Sequence, residues 1–415
     1  MKTPKPPEED LRIGMMVYST STHRLRARIR ERLSDFLVEE IIRNDVISGC
    51  RKSPFPGSYP LLLVEKRNVG TVELVGSLAR ELSLSPSKFV FLGLKDARSV
   101  SRQYISLKVK RLPRDLPRWV KLVGWIRRPL RREDLIGNRF EIRISVRDEG
   151  AFMSEVVSEL EEKDVPNFYG YQRFGSGRAV NHIVGRALVR RNFHEAVRAF
   201  ISTTGSGESE EVKKWRRGAL EGGRGAIEEG KELGLLYEVL MLEEMERSGD
   251  PLRALRRVPL TLRRLFINSY QAYLFNRSVS ERFSRELPIS RPIKGDLAKM
   301  VGGNIGIWDG DGRGLEVPVS QLIGYSYRVL RSEQCEIEVR IMREEGINPK
   351  MFYVREMPEV SARGGIREIP LSPRELVVEE RPREIFLWFY LKSGSYATVL
   401  LREILKPERP YDQGF

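Results

Sequence analysis

Cysteine and histidine are scarce in this sequence. Its 415 residues include two cysteines and three histidines. Cys50 and Cys335 lie far apart and form no Cys-x-x-Cys pair, so both are expected to be free thiols in a reducing compartment. His23, His182 and His194 have no ligand-like spacing, so no metal site is expected. Long apolar runs are also missing. The longest, Ile385 to Leu391, is far too short to cross a bilayer. Met1 to Asp10 is rich in proline and charge and lacks a signal-peptide core. These absences predict a cytoplasmic protein with no membrane role. Nucleotide-binding loops are absent as well. No Gly-Lys-Ser/Thr follows Gly175-Ser176-Gly177, and Val180 stands where a dinucleotide fingerprint needs glycine.

Acidic residues are in deficit. Lys and Arg number 72 against 57 Asp and Glu, a net charge of +15. Such a balance implies a polyanionic partner, most simply nucleic acid. The apolar fraction of 40% and the length suit two or three domains' worth of core. Arg24, Arg26, Arg28, Arg30 and Arg32 occupy every second position, with Leu25, Ala27, Ile29 and Leu33 filling most of the gaps. On a strand this puts the arginines on one face. That face either meets RNA phosphates, with Arg26 and Arg28 as candidates, or pairs in part with Asp96, or defends an exposed sheet edge.

Residues 1–12 are expected to be a mobile tail. Strand-like alternation marks Asp35 to Glu40, Leu61 to Lys66, Tyr104 to Val109, Val120 to Ile126 and Phe140 to Val146. Between the last two, the basic loop Arg127 to Arg132 is either an RNA grip or a solvated turn. Thr71 to Leu82 predicts a helix capped by Thr71, and Ser85-Pro86 opens a short one. Ala151 to Leu160 and Leu262 to Arg282 read as helices, and residues 211–249 as helical. Gly295 to Val301 and Cys335 to Ile341 look strand-like. Ile201 to Glu210 and Pro370 to Pro382 look like linkers. Ile385 to Leu391 reads as a buried strand, followed by a helix from Ser395 to Leu405 capped by Ser395. A lone C-terminal strand must bury itself, and rejoining the N-terminal sheet is the economical solution.

The segment Phe91 to Gln103 carries one carboxylate, Asp96, on a turn among Lys95, Arg98 and Arg102. Nearby cations favour an ionised carboxylate. Such a group suits a nucleophilic or electrostatic role, or else forms an ordinary surface salt bridge. Further on, Asn167-Phe168-Tyr169-Gly170 places two adjacent aromatics beside a glycine. These suit stacking on an unpaired base, or burial in a core.

Four ordered blocks resemble the TruD family of tRNA pseudouridine synthases. They are Gly93-Leu94-Lys95-Asp96 with Gln103, the run Val165 to Gly175, the run Leu262 to Asn276, and Gly394 to Glu403. The Asp35-Phe36-Leu37-Val38-Glu39-Glu40 run also resembles a family block. The resemblance implies an α/β (α+β) pseudouridine synthase fold. Its sheet would be mixed, mainly antiparallel and flanked by helices. The catalytic domain would be discontinuous, 1–189 with 370–415, around an inserted TRUD domain at 190–369. It implies that Asp96 acts on a uridine of tRNA, at U13, with no cofactor, no metal and no obligatory protein partner. Arg30 stands where the family usually has a lysine that pairs with the aspartate. Tyr169 stands where an aromatic, often Phe, lies near the target uracil. Ser99 and Ser101 replace a frequent Ala and Thr. Lys95, Arg98, Gln103, Asn167 and Arg173, with Arg26 and Arg28, are the candidate RNA-binding or loop-supporting residues. Against this stand two other readings: a non-catalytic RNA-binding protein or chaperone, and another RNA enzyme. A nuclease would normally show clustered carboxylates for metals. A methyltransferase would show a Gly-rich cofactor loop. Neither pattern is present, which ranks binding alone above both.

Overall fold

Period-2 apolar alternation builds the sheet on which the molecule is organised. The computed structural model describes residues 4–93, 95, 98–112, 115–147, 153–312 and 316–415. In chain order the strands are β1 (Ala27–Ile29), β2 (Phe36–Ile42), β3 (Tyr59–Arg67), β4 (Phe89–Phe91), β5 (Val100–Leu107), β6 (Val120–Ile126), β7 (Leu135–Val146) and β8 (Val165–Pro166). They continue with β9 (Leu297–Lys299), β10 (Ile305–Ile307), β11 (Val317–Leu322), β12 (Gly365–Glu368), β13 (Pro370–Leu371), β14 (Arg374–Arg381) and β15 (Glu384–Lys392). The main sheet runs β14-β15-β7-β2-β5-β3-β6, with β1 also on β7 and β4 also on β5. Of its pairings only β2 with β5 is parallel. It is thus the mixed, mainly antiparallel sheet expected, in an α+β fold.

The C-terminal strand does return to the N-terminal sheet. β15 pairs antiparallel with β7 along nine residues, Leu387 facing Ile142 and Phe389 facing Phe140. At Gly137 any Cβ would meet the Leu391 carbonyl at 2.2 Å, so only glycine lets the two strands approach there. Helix Ala397–Leu405 follows, with all nine of its residues buried. Its leucines share a core with Ile142, Ile144, Leu387 and Phe389. Ala272, Phe275 and Val279 of the long helix Leu260–Ser284 reach into the same core. A second core is mainly helical and gathers Val184, Leu188, Phe200, Leu255, Phe266, Tyr270, Ile337 and Ile341. Helix Asn181–Val189 crosses Leu260–Ser284 there at Gly185, whose missing side chain makes room for the Phe266 carbonyl. Among the described residues no helix is long and apolar enough to cross a membrane.

Several expectations are corrected. Residues 1–12 are not a loose tail where described: Glu8–Arg12 is helical and Asp10 is completely buried. Cys335 to Ile341 lies in a helix, Glu333–Glu344, not a strand. Its alternating charges mimic a period of two, but Ile337 and Ile341 share a helical face and the Ser332 hydroxyl caps the start by accepting from Cys335 N. The expected linker at Pro370 to Pro382 contains β13 and β14. β14 is an edge strand with mostly exposed residues, so its composition reads like a loop. Neither Thr71 nor Ser395 caps its helix: the N-cap residues are Gly70 and Tyr396. The arginine row breaks at Arg30. Arg26 and Arg28 are exposed, whereas Arg30 adopts φ 59° and is buried.

Candidate active site

Beside the parallel β2–β5 pair and β7, a cavity of about 530 Å³ collects pieces of all four sequence blocks. Gly93, Lys95, Ser99 and Ser101 come from the first, Gln172 and Arg173 from the second, Leu265 from the third, and Gly394 to Thr398 from the fourth. Phe36 and Val38 of β2, with Leu135 and Phe140 of β7, form apolar wall, and Arg30 also faces it. Small-molecule sites commonly occupy about 300–1,000 Å³. Asp96 lies outside the described residues, but Lys95 and Ser99 on either side of it both line this cavity.

Lys95 is fixed on three sides. Its Nζ lies 2.9 Å from Glu40 Oε1 and donates to Asn138 Oδ1 at 2.8 Å. Its backbone N–H donates to Thr71 Oγ1 at 2.9 Å. Glu40 is fully buried and also accepts from Tyr104 N at 2.9 Å. β2 and β7 therefore hold the ammonium by one carboxylate and one amide, and its charge is balanced within the protein. Thr71 in turn bonds Gln103 Oε1 at 3.1 Å. Gln103 is fully buried and does not line the cavity, so it braces Lys95 through Thr71. Ser99 and Ser101 hydroxyls are 2.9 Å apart on the cavity floor. Arg98 is exposed and outside the cavity lining.

The left-handed backbone at Arg30 turns its guanidinium inward. For a non-glycine residue that conformation costs on the order of 1 kcal/mol. The chain end compensates by packing over it. Arg30 Nη1 donates to the Gly414 carbonyl at 3.2 Å, and the guanidinium lies 4.2 Å from the Phe36 ring centroid. Gln413 accepts from Ile29 N at 2.9 Å, so the C-terminal turn is stitched to β1.

Tyr169 stands behind the cavity wall and not in its lining. Its backbone N–H and C=O both bond the Asn276 amide, at 2.8 and 3.1 Å. The Arg367 guanidinium covers its ring at 3.9 Å. A tyrosine that does line the cavity, beside Phe36 and Phe140, is Tyr396, whose hydroxyl accepts from Arg173 Nη2 at 3.2 Å. Among the described residues Arg173 has no carboxylate partner, so its charge faces the cavity unneutralised. Asn167 is buried and bonds the Glu368 carbonyl through Nδ2 at 3.1 Å.

Arg367 was not singled out by sequence. It donates to the Asn167 carbonyl at 2.8 Å, Asn167 Oδ1 at 3.0 Å, the Phe168 carbonyl at 3.1 Å and the Gly394 carbonyl at 2.7 Å. It thereby ties the second block to the fourth. Burial pulls its pKa below the usual guanidinium range. A lone arginine in Gly-Ile-Arg-Glu offers no local signal of this role.

Of the remaining basic candidates, Arg132 of the Arg127 to Arg132 loop is exposed and lines the same cavity, and the others lie elsewhere. Arg26 and Arg28 line a separate groove with Arg147, Arg409, Glu408 and Asp412. In the Arg127 to Arg132 loop, Arg128 forms a two-pronged pair with buried Asp134, both bonds 2.7 Å. That arginine serves the turn itself.

The sequence profile of TruD, tRNA pseudouridine synthase D, matches residues 12–404. A protein of Pyrobaculum arsenaticum named "Probable tRNA pseudouridine synthase D" is 35% identical over 418 residues, covering 99% of both chains. A Pyrococcus abyssi protein of the same name is 32% identical, covering 94% of this chain and 98% of that one. The crystal structure of a Methanosarcina mazei protein bearing the name tRNA pseudouridine synthase D (TruD) superposes with a TM-score of 0.77 at 28% identity, covering 99% of this chain and 100% of that one. With four motif blocks converging on one cavity and a profile match along nearly its whole length, the chain belongs to the TruD family of tRNA pseudouridine synthases.

Proposed function

We propose that this chain, a tRNA pseudouridine synthase by family, isomerises the uridine at position 13 of tRNA, with ionised Asp96 as the reacting carboxylate. The observation that carries this reading is one cavity lined by all four blocks, including Lys95 and Ser99, which flank Asp96 in the sequence. The reaction breaks the C1′–N1 bond of uridine, turns the base and joins C5 to C1′. No atom is gained or lost, so no redox or group-transfer cofactor is required. Asp96 either attacks or stabilises C1′, or removes a sugar proton to give a glycal. Both routes need the carboxylate charged. Arg30 and Arg173, both facing the cavity, favour that form. The uridine must leave its stack to enter. Phe36, Phe140 and Tyr396 offer it apolar and aromatic walls. Tyr169 supports that wall from behind.

We also propose the division into a catalytic unit, 1–189 with 370–415, and an inserted unit, 190–369, acting in the cytoplasm on tRNA. Two of the hydrophobic cores support this reading: one is built mainly from the catalytic unit, with Ala272, Phe275 and Val279 reaching into it, and the other mainly from the inserted unit, with helix Asn181–Val189 packed into it. The test is to map pseudouridine in tRNA after incubation with Asp96→Asn protein and with the unaltered protein, chelator present. Loss of the modified base with tRNA affinity kept within several-fold is expected. Full activity of the variant removes Asp96 from the mechanism. An unaltered protein that binds tRNA but leaves every uridine unchanged favours the binding-only reading.

A further inference from the structure

A second groove of about 520 Å³ shares no lining residue with the catalytic cavity. It is lined by Arg190, Arg191, Lys350 and Arg355, all exposed, and by Tyr325 and Tyr353. Arg190 and Arg191 follow helix Asn181–Val189, and Lys350 sits in the short helical turn Pro349–Phe352. No carboxylate lines the groove. Arg191 has a long ion pair with Glu356 at 3.7 Å, and Arg190 donates to the Glu345 carbonyl, which leaves its charge intact. Among the described residues Lys350 and Arg355 have no carboxylate partner. The two tyrosines are 43% and 48% exposed, with ring centroids 6.0 Å apart and planes at 86°. Half-exposed rings contribute little to a core. They leave aromatic surface on which a flat group can stack.

Clustered cations with no carboxylate in the lining, beside exposed rings, match what unpaired RNA presents: phosphates along a strand and bases with open faces. The groove at Arg26 and Arg28 lacks this combination, having two carboxylates and no aromatic in its lining. A protein partner would also use tyrosine and arginine, but four like charges with no carboxylate in the lining favour a polyanion. We propose that this groove grips an unpaired stretch of the tRNA away from the nucleotide that reacts. The proposal rests on tRNA being the substrate. The cations hold two or more phosphates, and a base stacks on Tyr325 or Tyr353.

The test compares Lys350→Gln/Arg355→Gln and Tyr325→Ala/Tyr353→Ala with the unaltered protein, using full-length tRNA across a salt titration. Each phosphate contact on a single strand contributes about 0.7 to the log–log salt slope. The charge variant should therefore bind more weakly, with its slope reduced by about 1.4. The tyrosine variant should lose about tenfold in affinity with the slope unchanged. In both, KM for tRNA should rise while kcat at saturation stays as it was. Unchanged affinity and slope in both variants overturn the proposal, including the case where a protein contact is lost instead. If the unaltered protein makes no pseudouridine, the reading of its function fails, yet the binding arms still report on the groove.

Discussion

Asp10 Oδ2 and Arg402 Nε lie 2.6 Å apart, and neither side chain is exposed at all. Asp10 also accepts from the Tyr171 hydroxyl at 2.5 Å. Arg402 donates to the Val17 carbonyl at 3.0 Å and lies 4.1 Å over the Tyr18 ring. The N-terminal helix is thus bonded to the helix whose first residues, Ala397 and Thr398, line the cavity. Removing one partner leaves a buried charge unpaired, which typically costs about 3–5 kcal/mol. Asp10→Asn should lose stability on that scale in urea unfolding, and deletion of residues 1–12 at least as much. Asp10→Leu with Arg402→Met should recover a large part. A deletion that unfolds at the same urea concentration would show that the contact contributes nothing.

Arg367 makes a second prediction. Arg367→Ala frees several buried carbonyls and uncovers Tyr169. Each buried acceptor left unsatisfied costs about 1–3 kcal/mol. The variant should lose roughly 3 kcal/mol of stability, and kcat should fall more than tenfold with a smaller change in KM. Arg367→Lys should regain some stability but little kcat, because an ammonium cannot fork between Asn167 and Gly394 or lie flat on the ring. Thermal melts and steady-state kinetics check both. Equal kcat for Lys and Arg would rule out a role in positioning the Gly394 to Thr398 wall.

His182 gives a pH dependence. It is buried between the Phe174 edge and the Tyr273 face, at centroid distances of 5.4 and 5.2 Å. Burial lowers its pKa to about 4 from 6.5, against a smaller opposing contribution from an Arg12 backbone hydrogen bond. Above pH 6.5 the ring is neutral in folded and unfolded chains alike. Between 6.5 and about 4 the unfolded chain takes up a proton that the folded one does not, so stability falls as pH falls. By pH 4 the loss from this group approaches about 3 kcal/mol. His182→Phe should flatten that part of the curve. Denaturant midpoints measured across the window, as a difference between the two proteins, isolate this group from the carboxylates. A zero difference would show that the ring is solvated.

Much was legible because it depends on local order. Alternation located β2, β3, β6 and the second half of β7, an apolar run located β15, and residues available for burial located Leu260–Ser284. Where two periods overlap, as in Cys335 to Ile341, local pattern misled, because Ile337 and Ile341 meet a helical core that no single segment reveals. The cavity was legible as four blocks but not as a shape. Asn138 and Tyr396 join it only because β7 and the turn after β15 are neighbours in the sheet.

The sequence by itself determined most of the main-sheet strands, the long helix, the excess of positive charge and the order of the family's blocks, since each follows from residue type and spacing. Tertiary structure alone decided which cations face the cavity. Arg28 and Arg30 sit two positions apart, as like strand neighbours. Yet a left-handed turn, held by the Gly414 carbonyl nearly four hundred residues later (|i−j| = 384), sends one to solvent and the other inward. Such a choice is made by packing between distant segments, whose energy no local pattern contains.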